Sequence, residues 1–342
     1  ERAIAVQPGF AEAYNNLGIL LVGQGRLKDA SAVFARALAH APELFSNFAE
    51  IQAILFKINP GLQQAIQRVA AAWPKRPAAA ELLGPSAVGA VAGDPLFRFV
   101  LESEVVADLA MERFLTAVRA AILDRAAGGA GEADDDLLAF ACSLARQCFI
   151  NEYVFAETPE EIARVEELSE TAAAAVERGQ PVSPLLIASL ASYRPLVHWA
   201  REQALLEKSW AAPLDHVITQ QVREVREERK LRDAIPRLTS LSGAASPQVR
   251  EQYEENPYPR WVLAPSRHAS MTVSQFFGAQ FPLSPLLPLD ERNGLDILVA
   301  GCGTGHHPIE MARRFARARV LAVDLSLSSL SYALRKTREL DV

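Results

Sequence analysis

Cysteine is scarce in this chain: Cys142, Cys148 and Cys302 are the only three among 342 residues, too few and too scattered for a disulfide framework. A reducing compartment, the cytoplasm, is therefore expected. No apolar run reaches the ~18 residues that cross a bilayer, and the stretch from Pro184 to Tyr193 is interrupted by Arg194. Nor do the first residues, Glu1 to Phe10, show the basic-then-apolar order of a secretory signal. Positive charge is not in surplus either. Thirty-five Lys and Arg against forty-one Asp and Glu leave a net charge of −6, with no basic block set apart to neutralise phosphates, which argues against nucleic acid as the main partner.

What remains is ordinary globular composition: 50% apolar, 22% charged, with mean hydropathy close to zero. The length is about twice the ~150 residues of an average domain, so two or more domains are expected.

One unit of 34 residues stands out between Ala11 and Leu44. Tyr14, Leu17, Gly18 and Leu21 fall on one helical face, a turn follows at 24–26, and Ala30, Phe34, Ala37 and Pro42 complete the pattern. Small residues at Gly18, Ala30 and Ala37 let two antiparallel helices approach, Tyr14, Leu21 and Phe34 fill the space between them, and Pro42 stops the second. This resembles a tetratricopeptide repeat. Ala3 and Pro8 stand where Ala37 and Pro42 do in the unit, so the chain is expected to open inside a preceding repeat. Ahead, Phe48 and Ile51 keep the pattern, but Gln64 occupies the place of Ala30 and the repeat fades. The resemblance implies a groove for a peptide or protein partner; a structural cap on the following helices is the alternative.

From about 61 to 240 apolar residues recur at three and four, as in Val105, Leu109, Phe114, Leu115, Val118 and Ile122, which predicts amphipathic helices. Breaks are expected at 73–77, 84–85, 128–131, 158–159, 179–184 and 212–213. Thr158 followed by Pro159, Glu160 and Glu161 reads as a helix start with a side-chain cap. In 145–155, Cys148, Phe149, Tyr153 and Phe155 are expected in a core, although Asn151 and Glu152 make a site conceivable there. His198 and His216 stand apart from each other and from cysteines, so no metal site is expected. The mixed-charge run 222–230 reads as a solvated helix face.

Chemistry concentrates at the end. An apolar run, Leu295 to Ala300, leads into Gly301-Cys302-Gly303-Thr304-Gly305 and a helix; a second run ends at Asp324, with Leu325 next and another helix through Tyr332 and Leu334 to Leu340. The order is β-α-β-α with parallel strands. Glycines let a ligand lie against the backbone near a helix amino terminus, and the acid can accept hydrogen bonds from ribose hydroxyls. A dinucleotide fingerprint needs glycine at the sixth place, where His306 stands.

The glycine pattern with Asp324 after the second strand resembles the class I S-adenosylmethionine-dependent methyltransferases, over residues 295–342. That implies Gly301, Gly303 and Gly305 against the methionine and ribose portions of S-adenosylmethionine, Cys302 and Thr304 within the same loop, and Asp324 with Leu325 at the ribose. Ala300 departs from the acid often found just before the first glycine. Cys302 is not expected to be a nucleophile, and no metal is expected at His306 and His307. Upstream, 249–261 resembles the connector before the methyltransferase domain in bacterial proteins that join it to tetratricopeptide repeats. Its Tyr253, Tyr258, Arg260 and Trp261 serve either as a lid or in domain docking.

The fold expected is all-α followed by the start of a Rossmann-like α/β domain: a repeat region at 1–60, an all-helical middle at 61–245, a connector or lid at 246–290, and an incomplete methyltransferase domain at 291–342. The family has a seven-stranded sheet, so most of it is expected beyond Val342, with catalytic residues unassigned and weak or no activity in these residues alone. A protein-interaction scaffold with a vestigial cofactor fold and a nicotinamide-dependent oxidoreductase are the alternatives.

Overall fold

A computed structural model describes residues 2–41, 48–85, 87–128, 134–238, 254, 257–264, 271–283 and 294–342. It is mostly helical, with one two-stranded parallel sheet near the carboxyl terminus. The chain divides into two compact units, Glu1–Val225 and Arg226–Val342. No helix among the described residues is long and apolar enough to cross a membrane.

The first unit opens with the helix pair Ala11–Gly23 and Leu27–His40, turned by Gly25 in the left-handed region at φ 73°. The small-residue reading is met physically. A Cβ on Gly18 would lie 2.7 Å from the Phe34 ring, and Ala30 and Ala37 are wholly enclosed. Tyr14, Leu21 and Phe34 are buried, and Tyr14 stacks on His40 at 5.7 Å. Pro42 and Leu44 lie outside the described residues, as does the side chain of Phe48. Ile51 is buried in the next helix, Phe48–Ile58, whereas Gln64 is exposed in Pro60–Ala72.

Beyond it, helices start where capping chemistry is written. Asp94, Asp108 and Asp134 accept the Phe97, Met111 and Leu137 amides at the heads of Pro95–Ser103, Leu109–Ala127 and Asp135–Ile150. Thr158 and Glu161 exchange bonds in a complete capping box on Pro159–Glu177. Asp94 also accepts the Ser31 hydroxyl at 2.8 Å and the Asn59 amide at 3.0 Å, stitching the first helix pair to the helices that follow. Apolar burial is continuous from Leu21 to Val222, so residues 1–60 and the following helices share one core.

Phe114, Leu115, Val118 and Ile122 are core residues, while Leu109, at the start of its helix, is exposed. Cys148, Phe149 and Phe155 are buried as expected, with Tyr153 half-buried. Burial pushes the Cys142 thiol up to about 12 and the Cys148 thiol up to about 11, so neither is a ready thiolate at neutral pH. Arg119 is fully enclosed: its guanidinium donates to the carbonyls of Phe155, Ala156 and Ser192 and lies 4.1 Å from the Tyr193 ring centroid.

The solvated reading of 222–230 needs correcting. Val222 is buried in the first unit and Glu228 in the second, where its carboxylate accepts Arg335 at 2.8 Å. Helical spacing puts charge on a face; it does not say that water covers that face.

Gly18→Ala is expected to lower stability by about 1–3 kcal/mol through overpacking against Phe34, despite the ~1 kcal/mol that alanine ordinarily gains over glycine in a helix. Gly23→Ala, with open space at its Cβ, serves as the comparison. Denaturant unfolding should rank Gly18→Ala well below Gly23→Ala, and equal stabilisation by both would contradict the packing account.

Candidate cofactor site

In the second unit, β1 (Leu295–Ala300) pairs in parallel with β2 (Ala318–Val323), Leu295 opposite Ala318 and Ala300 opposite Val323. The helix His306–Arg314 carries the crossover. Where β1 ends, the Gly301 and Cys302 amides both donate to the Val323 carbonyl, at 2.8 and 3.0 Å, so the loop begins anchored to the end of β2.

Gly301, Gly303 and Gly305 all have positive φ, at 71°, 53° and 87°, a conformation in which a side chain is strained. Their surroundings differ. A Cβ on Gly301 or Gly303 would meet nothing within 4 Å, whereas on Gly305 it would stand 2.5 Å from the Ala333 Cβ. Gly305 therefore allows close packing against the helix Leu327–Glu339, and the other two leave bare backbone beside open space.

Asp324 closes the loop from below. One carboxylate oxygen accepts the Gly303 amide at 2.8 Å and the other the Ser326 amide at 2.9 Å, while Ser326 caps the next helix through the Ser329 amide. A carboxylate has about four lone-pair positions, so acceptor capacity remains. Leu325 beside it is exposed. Cys302 and Thr304 turn inward instead. Burial, aided by the Asp324 charge, pushes the Cys302 thiol up to about 11, and the Thr304 hydroxyl donates to the Pro259 carbonyl at 2.7 Å.

That last bond belongs to the connector. The Trp261 indole donates to the Thr304 carbonyl at 3.0 Å, and the Tyr332 hydroxyl donates to the Trp261 carbonyl at 2.5 Å. The indole also meets His306 edge-on at 5.2 Å, with the Lys336 ammonium 4.9 Å from its centroid. Arg260 lies 4.0 Å from Glu228, the carboxylate that holds Arg335. Glu254 accepts the Leu327 amide at 2.5 Å and, through its backbone carbonyl, the Ser328 hydroxyl at 2.6 Å. Tyr258 is exposed, and Tyr253 lies outside the described residues. Pro259 and Trp261 thus fasten the connector to the loop and the last helix, leaving Tyr258 as the described aromatic of this segment that faces solvent.

The loop-forming residues were visible in the sequence. The contacts made by Glu254, Glu228, Tyr332 and Lys336 were not, because the partners that bring them to this site lie far away in the chain and no spacing announces them. Among the described residues no group of His, Cys, Asp and Glu could hold a metal ion.

Loss of water around its ring holds His306 below its ordinary 6.5, with Glu310 opposing the shift and His307 adding to it. The unfolded chain therefore binds a proton before the folded one does. Stability should be flat in this respect above about pH 7, fall as pH drops through 6.5, and level off below the folded value. Thermal melts of the wild type and His306→Gln across this window should differ by that slope, and identical pH dependence would contradict it. No family model, curated protein or solved structure matches the chain.

Proposed function

We propose that the protein is an S-adenosylmethionine-dependent methyltransferase, its cofactor held by the glycine loop and Asp324, with an amino-terminal helical region of tetratricopeptide type that engages a protein partner. The observation that carries this reading is the pairing of bare backbone at Gly301 and Gly303 with the Asp324 carboxylate 2.8 Å from the Gly303 amide. Open space at both missing Cβ positions admits a ligand against the main chain, and the acid sits at the end of the second parallel strand.

In this arrangement the Gly301 and Gly303 backbone would hold the methionine and ribose portions, and Asp324 would accept the ribose hydroxyls. When bound, the cofactor supplies an electrophilic sulfonium methyl group, so the protein's task is alignment and exclusion of water rather than covalent catalysis. The high thiol pKa of Cys302 fits that division of labour. Trp261 holds the loop through the Thr304 carbonyl, and Tyr332 holds Trp261 through its own carbonyl. The helix pair Ala11–Gly23 and Leu27–His40, with Phe34 seated on Gly18, supports the repeat reading, and three free cysteines suit a reducing cytoplasm. His306 in place of a sixth-position glycine weighs against nicotinamide binding.

Calorimetric titration of the full-length protein with S-adenosylmethionine and NADH in parallel tests the reading. Saturable binding of S-adenosylmethionine alone is expected. Asp324→Ala should weaken it by about 10- to 100-fold, the range for losing hydrogen bonds to a charged group. Binding of neither ligand would favour the scaffold; binding of NADH would favour an oxidoreductase.

A further inference from the structure

An unexplained feature lies in the first unit, in residues other than those of the glycine loop. A cleft of about 620 Å³ opens between residues 76–82, the helix Leu109–Ala127 and the start of the helix Pro159–Glu177. Its volume falls within the ~300–1,000 Å³ typical of ligand sites. Ala117, Ala121 and Leu82 form an apolar floor whose small alanines leave the space unfilled.

The charges around that floor are not balanced. Arg76 is neutralised by Glu161 at 2.5 Å, and Arg164 by Glu167 at 3.2 Å. Asp124 and Glu160 also line the cleft, and among the described residues no cation pairs with either. Glu160 is at home in the first turn of its helix. Asp124 is not: it lies in the last turn of Leu109–Ala127, where the helix dipole is already negative and a carboxylate is disfavoured. An acid held there above an apolar floor gains most from a cation supplied from outside.

We infer that this cleft docks a lysine- or arginine-bearing peptide segment of a partner protein. Such a side chain is itself divided into an apolar stem and a charged head. The stem would lie on the Ala117 and Ala121 floor, and the head would meet Asp124 and Glu160. A cation without an apolar stem would leave the floor unused, and an acidic or purely apolar segment would leave Asp124 without a counter-charge.

Fluorescence anisotropy on the full chain tests this with a short labelled peptide of alternating lysine and alanine, a glutamate-for-lysine control, and spermidine. Saturable binding of the lysine peptide, weakened by raised salt, and none of the glutamate peptide are expected. Asp124→Asn with Glu160→Gln should weaken binding about three- to tenfold, the range for losing two exposed ion pairs. Ala163→Trp, which fills an exposed part of the lining without altering charge, should abolish it; circular dichroism verifies that the variants fold. Equal binding by wild type and variants, no binding of the lysine peptide, or binding of spermidine without the peptide would overturn the proposal.

Discussion

A single carboxylate organises the α/β unit. Asp324 accepts the Gly303 amide with one oxygen and the Ser326 amide with the other, so the glycine loop after β1 and the helix start after β2 are tied to one group. Positive φ at three loop residues costs little only because they are glycine, and a chain so free needs an anchor to keep one conformation. The Val323 carbonyl supplies a second anchor by accepting two loop amides. The bare surface at Gly301 and Gly303 is thereby held still without side chains standing on it.

The connector acts on the same loop from the other side. Trp261 donates to the Thr304 carbonyl and Thr304 donates to the Pro259 carbonyl, a reciprocal pair that leaves neither segment free to shift alone. Behind it, Arg335 packs over Tyr332 and pairs with the buried Glu228. A buried pair of this kind adds little net stability but is costly to break from one side, so it specifies the packing more than it strengthens it. The first unit uses a comparable device, in which the enclosed Arg119 gathers three carbonyls from two loops.

Local rules were legible in the sequence and distant partners were not. The Thr158 cap and the alternation of apolar run, glycine turn and helix at 295–340 depend on neighbours within a few residues, and they appear where the spacing places them. The glycine loop was readable as a loop, yet its three glycines serve two purposes: only Gly305 is required by packing, and only the structure brings Ala333 against it. Glu228 looked like one charge on a wet helix face because Arg335 stands 107 residues away. The aromatic connector announced itself by composition, but the bond from the Trp261 indole to the Thr304 carbonyl, 43 residues away, did not.

The open backbone of this loop and Asp324 are the cofactor surface in the function proposed here. This assignment is tested most directly by residue-resolved NMR during titration of the full chain with S-adenosylmethionine. The amides of Gly301, Gly303 and Asp324 should shift together and saturably, with those at the far end of β1 and β2 little changed. Unchanged loop amides, or shifts confined to residues outside the second unit, would contradict it.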